Sequence, residues 1–275
     1  MKRILPPLIF SAVIVAVLKT LSLFSFANSE IIYSAISTVL LLLGSIFLKP
    51  FSEKKTRFIR YLKLRFAKSR DLPTILWLTV TVISGSFLLN LLSLDVFTAF
   101  GLDVSENVMA SYNTENIWLS ILTIALLPAI FEELFFRGAM LSVLSKKKKT
   151  SSLLISAALF ALVHGSLYAI PSSFFAGIVF GITVYLTDSI YASMITHFIN
   201  NIMAYFLFTY SRVLSDAGFD ETILITSTLA FLISVYFTIS VAAKKYKKEL
   251  NSKSTIINEG ERIWEERKEK RSSKK

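Results

Sequence analysis

Long apolar runs alternate with short polar stretches along the whole chain, and most runs have the ~17–25 residues that carry a helix across a bilayer. The runs predict spans at Ile4 to about Ala27, Ile31–Leu48, Leu72–Leu94 and Ile117 to about Leu144. Four more follow at Ser151–Ile170, Ser172–Leu186, Ile190 to about Tyr210 and Ile223 to about Ala243. A backbone in hydrocarbon must satisfy its own hydrogen bonds, which leaves helices for segments of this kind. The expected fold class is all-α: a polytopic helical transmembrane bundle of about eight spans.

The polar connections sort by charge. Lys49, Lys54, Lys55, Arg57, Arg60, Lys63, Arg65, Lys68 and Arg70 follow the second span, and Lys146 to Lys149 follow the fourth. Asp95, Asp103, Glu106 and Glu115 follow the third, and Asp216, Asp220 and Glu221 follow the seventh. With Lys2 and Arg3 inside, eight spans put every basic connection on the cytoplasmic side and leave both termini there. Phe58, Ile59, Leu62, Leu64 and Phe66 interleave the first basic stretch, which reads as an amphipathic helix on an anionic leaflet or as a solvated loop. The first run reads as an uncleaved span with Lys19 snorkelling. Cleavage at Ser25 and Ala27 would leave seven spans with the same orientation. The tail from Lys244 mixes Lys/Arg with Glu and reads as a solvated helix or disorder. Three regions result: a membrane region with three spans over 1–116, a five-span core over 117–243, and a charged tail over 244–275.

Composition narrows the class. The chain is 53% hydrophobic with a mean hydropathy of +0.60, above the range of soluble domains. Its net charge of +11 lies between spans and in the tail, so it marks topology and no nucleic-acid partner is expected. The Lys- and Ile-rich apolar composition suits a bacterial plasma membrane. The absence of cysteine excludes thiolate catalysis, disulfides and Cys-ligated zinc.

Candidate chemistry sits where the pattern calls for hydrocarbon. Glu132, Glu133 and Arg137 interrupt the fourth span, and the only two histidines, His164 and His197, fall in the fifth and seventh. Intramembrane ionisable groups are costly and usually functional. At 1.5 Å per residue, Glu132 and His164 lie about 20 Å from the cytoplasmic end of their spans, His197 about 12 Å and Asn201 about 18 Å. One layer can hold all four. Glu133 and Arg137 are spaced i,i+4 in the favourable order for an ion pair. Glu132 points about 100° away on the helix and must find a partner on another helix or stay protonated. His197 and Asn201 share a face; Phe160 reads as packing beside His164, and Gly177 and Gly181 as a close helix contact. A carboxyl, two imidazoles and an amide suit water activation and oxyanion stabilisation, or a metal site of two His and one carboxylate. The H-E-x-x-H and G-x-S-x-G motifs are absent.

Glu132-Glu133-x-x-x-Arg137, Phe160-x-x-x-His164 and His197-x-x-x-Asn201, in that order on successive spans, resemble the CAAX protease and bacteriocin-processing (CPBP) family of type II CAAX prenyl endopeptidase-like intramembrane proteases. The resemblance covers about Ile117 to Tyr210. It implies an active site between helices inside the membrane, hydrolysing a peptide bond of a membrane-associated or lipidated peptide. Glu132 would activate water, His164 would assist it, His197 and Asn201 would stabilise the oxyanion, and Glu133 and Arg137 would support the site. Glu132, His164 and His197 would be the ligands of a divalent metal such as zinc in a metallo-mechanism; a glutamate mechanism needs none. The expected partners are a peptide or protein substrate in the membrane and the lipid bilayer. The competing functions are a non-catalytic bacteriocin self-immunity or membrane binding protein of the same fold, and a proton-coupled transporter.

Overall fold

A computed structural model describes residues 5–21, 29–52, 57–102, 116–144, 148–164, 167–216 and 218–272. Lys2, Arg3, Ser25, Ala27, Lys54, Lys55, Asp103, Glu106, Glu115, Lys146 and Lys147 lie outside the described residues. Each predicted span falls on a helix, and no strand occurs among the described residues. The helices are α1 (Leu5–Leu21), α2 (Ser29–Phe47), α3 (Leu72–Ala99) and α4 (Ile117–Val143). They continue as α5 (Lys149–Val163), α6 (Ile170–Thr187), α7 (Ile190–Thr209) and α8 (Asp220–Ser272). Among the described residues, five segments are long and apolar enough to cross a membrane: Ile32–Phe51, Ser69–Ala99, Ile117–Val143, Leu167–Thr187 and Asp220–Lys245. α1 and α5 are shorter apolar helices, and the polar residues of α7 dilute its hydropathy. The molecule is an all-α helical membrane bundle.

Two compact units divide the chain, Met1–Val235 and Tyr236–Lys275. In the first, α6 is the central helix, packed against α5, α3 and α7, while α2 and α7 flank α4. The α5–α6 contact is close because Gly177 has no side chain: a Cβ there would stand 3.0 Å from the Ala157 backbone. The second unit is helical to Ser272, and the rings of Tyr236 and Phe237 meet there edge to face at 5.4 Å.

α4 is not a uniform α-helix. Asn116 caps it by accepting from the Trp118 and Leu119 amides, and π-helical turns occupy Ile121–Leu126 and Leu134–Met140. Pro128 lacks the N–H that would bond the Ile124 carbonyl one turn back. The Asn201 amide of α7 donates to that carbonyl at 3.2 Å, so the proline creates the acceptor that fixes Asn201. The second π-turn brackets Arg137, and Ser156 of α5 donates to the Phe136 carbonyl at 2.8 Å. π-Turns within α-helices are frequent at functional sites.

Two expectations are corrected. The fifth span was placed over Ser151–Ile170, but α5 stops at Val163 with His164 as its C-cap. The His164 ring takes up the Phe160 carbonyl that the helix end would leave without a donor. Pro171 then lies in the first turn of α6, where its missing N–H costs nothing. Among the described residues the basic stretch is not one continuous amphipathic helix: short helical turns occupy Lys49–Phe51, Phe58–Tyr61 and Ser69–Asp71, Tyr61 and Leu62 are buried, and Ser142 donates to the Tyr61 carbonyl at 2.6 Å. Beyond them, Lys63 and Arg65 pair with Asp188 at 3.1 and 2.6 Å. Tyr61 and Leu62 anchor the segment as a strap across the basic end of the bundle, with Phe58 and Leu64 packed against the core and Ile59 and Phe66 left exposed.

Candidate active site

Glu133 is the hub. Its carboxylate is fully buried on α4 and meets groups from two helices. Arg137 Nη1 stands 3.0 Å from Oε1 as an ion pair without hydrogen-bond alignment. The Ser193 hydroxyl of α7 is 2.5 Å from Oε2, and His197 Nδ1 is 3.2 Å from Oε1. Arg137 donates through Nη2 to the Gly177 carbonyl at 3.1 Å and lies 4.2 Å from the Phe160 ring centroid. Paired, hydrogen-bonded and covered by an aromatic face, the guanidinium has the partners a buried cation requires. The i,i+4 spacing anticipated this pair. It did not show that Glu133 also holds His197.

His197 is 1% exposed and stacks on Phe180 with centroids 4.4 Å apart. Glu133, ion-paired, is an acceptor, so Nδ1 carries the proton of this contact and Nε2 of the neutral ring is a lone pair. That lone pair faces Glu132 Oε2 at 3.8 Å. Glu132 is 13% exposed, and its Oε2 is buried with no hydrogen-bond partner. Two neighbouring carboxylates thus have opposite surroundings: Glu133 is saturated and Glu132 is open.

His164 is directed by the same logic. Its Nδ1 bonds the Phe160 carbonyl at 3.0 Å, which leaves Nε2 free, and Phe160 packs against both imidazoles at 4.6 and 5.7 Å. His164, His197 and Asn201 line one cavity of about 490 Å³, otherwise walled mainly by apolar residues of α3, α6 and α7. Glu132 is not among its lining residues; it reaches the cavity through His197. The groups placed in one layer by depth therefore do meet. Ser193 was missed, although it lies one turn before His197 on the same face. Asn200 donates to the Asn201 side-chain oxygen at 3.4 Å. Among the described residues no three His, Asp or Glu side chains gather as a metal-binding group.

A helical membrane bundle with a buried carboxylate–imidazole–guanidinium cluster beside an apolar cavity belongs to the class of intramembrane-site proteins. Residues 113–203 match the family model described as type II CAAX prenyl endopeptidase Rce1-like, a match that supports the resemblance to the CPBP and CAAX protease family. The match contains Glu132, Glu133, Arg137, His164, His197 and Asn201. Neither the curated proteins nor the solved structures gave a match.

Proposed function

We propose that the protein is an intramembrane endopeptidase that hydrolyses a peptide bond by glutamate-activated water. The observation that carries this reading is Glu132 Oε2, buried without a hydrogen-bond partner, 3.8 Å from a histidine nitrogen at the wall of an apolar cavity.

In the proposed reaction Glu132 takes a proton from water as the oxygen attacks the scissile carbonyl carbon. His164 orients the water through Nε2. Glu132 hands the proton taken from water to His197 Nε2, 3.8 Å away, and that Nε2–H, with Nδ1–H still on Glu133, stabilises the oxyanion together with the second Asn201 amide hydrogen. Collapse breaks the C–N bond, and the same proton returns through Glu132 to the leaving amine. Arg137 and Ser193 hold Glu133 and touch no reacting atom. They are positioning residues.

The test is hydrolysis of a membrane-peptide panel by purified protein in detergent, wild type beside Glu132→Gln, each with and without chelator. Loss of a general base costs about 10²–10⁴-fold, so cleavage should fall by that factor in Glu132→Gln. Equal cutting by both proteins would sink the assignment. Loss of wild-type cleavage in chelator would replace this metal-free route by a metal-assisted one.

A further inference from the structure

The far wall of the cavity is formed by α3, which lies outside the family match. Two of its lining residues, Ser86 and Asn90, are polar. The Ser86 hydroxyl and the Asn90 Oδ1 are buried, and neither has a hydrogen-bond partner. Ser86 as a residue is only 8% exposed. Its neighbours behave differently. Thr79, Thr81 and Ser84 each return their hydroxyl to the carbonyl one turn back, at 2.8, 2.8 and 2.6 Å. That is the ordinary way to hide a hydroxyl in an apolar helix. An unsatisfied buried polar atom costs about 1–3 kcal/mol. Two of them one turn apart, beside a cavity, are suited to a polar ligand.

Geometry identifies the ligand class. Residues i and i+4 of a helix are about 6 Å apart along the axis. Along one edge of an extended peptide the N–H groups recur at every second residue, about 6.7 Å apart. The two spacings agree. The level on the wall can also be found. The Thr79 hydroxyl lies 3.0 Å from the Thr196 hydroxyl, so position 80 of α3 is level with His197. Ser86 then stands about 9 Å and Asn90 about 15 Å beyond His197 along the cavity. At ~3.3 Å per extended residue, these are the third and fifth residues from a bond held at His197.

We infer that Ser86 and Asn90 form a backbone-recognition subsite that docks one edge of an extended substrate peptide, Asn90 Oδ1 and Ser86 Oγ each accepting a peptide N–H, from residues two apart. The inference rests on the endopeptidase reading for its substrate, and recognition of this kind needs no particular side chain. It assigns α3 to the substrate site and gives the cavity a direction, with the peptide running from His197 towards Asn90.

The test is binding, so that it does not depend on hydrolysis. The full chain carrying Glu132→Gln, in detergent, is titrated with a fluorescein-labelled nonapeptide of Ala, Val and Leu. Nine analogues, each with one backbone N-methyl group, follow. The parent peptide binds saturably, and N-methylation at either of two positions two residues apart weakens it about tenfold, the loss of one hydrogen bond. Adding Asn90→Ala weakens the parent about tenfold and removes the sensitivity to one of these N-methyl groups, the non-additivity expected of direct partners. Ser86→Ala weakens binding and removes the sensitivity to the other. No saturable binding, no sensitive position, or equal N-methyl sensitivity with Asn90 present and absent overturns the subsite. A peptide bound through Asn90 that wild type never cuts supports the subsite and counts against the endopeptidase reading alone.

Discussion

His197 has two ring nitrogens, and they face two different regions. On the Nδ1 side Glu133, Arg137, Ser193 and the Gly177 carbonyl are buried and pack against one another. On the Nε2 side Glu132 Oε2 has no hydrogen-bond partner, and the cavity wall beyond carries Ser86 and Asn90 in the same condition. One region is built to stay as it is and the other to take something up. The difference shows where burial of polar groups contributes to the fold and where it is carried for chemistry.

Breaking the closed region should have the largest effect. Arg137→Met leaves Glu133 buried without its cation, and removing one partner of a buried pair typically costs roughly 3–5 kcal/mol. Thermal unfolding in detergent should show a large loss. The double variant Glu133→Gln/Arg137→Met should recover most of it, because no lone charge remains. If the double variant is as unstable as Arg137→Met, the pair is not what holds the region together.

The adjacent carboxylates give the sharpest contrast. Glu133→Gln removes the counter-ion of Arg137 and the acceptor of Ser193 and His197, and should lower both stability and cleavage. Glu132→Gln removes a charge whose Oε2 has no hydrogen-bond partner, so stability should be unchanged or higher while cleavage falls. A Glu132→Gln protein that unfolds as readily as Glu133→Gln would mean that the two regions do not differ as described.

Much of the closed region was legible in the chain. The i,i+4 spacing of Glu133 and Arg137, the shared face of His197 and Asn201, and the common depth of the polar groups all follow from helical geometry. Other contacts were not legible, because spacing tells which face a residue occupies but not which helix lies opposite. Nothing local joins Arg137 to the Gly177 carbonyl, or Asn201 to the acceptor that Pro128 leaves at Ile124. Serine hides well: a membrane helix tolerates it by bonding its own backbone, and in sequence Ser193 and Ser86 look like Ser84. Only the fold separates a serine that bonds a carboxylate, one that bonds nothing and one that bonds itself. The strap from Phe58 misled for a related reason. Its interleaved apolar residues fit a lipid surface and a protein core equally well.

The smallest change tests how far the closed region acts on the open one. Ser193 touches Glu133 Oε2 and lies 3.0 Å from the Phe180 carbonyl, but does not line the cavity. Ser193→Ala removes one hydrogen bond to a charged acceptor that keeps Arg137 and His197. The stability cost should be about 1–2 kcal/mol, and His197 should retain its ring orientation with slightly greater freedom. A residue acting only through His197 should alter the chemical step more than substrate capture. Ser193→Ala is therefore expected to lower kcat about tenfold and leave KM within about twofold, whereas Asn90→Ala does the reverse. Ser193→Thr, which restores the hydroxyl, should recover most of kcat if its methyl group fits against Phe180. If Ser193→Ala raised KM and spared kcat, the serine would belong to peptide binding, and the boundary between the two regions would have to be drawn on its other side.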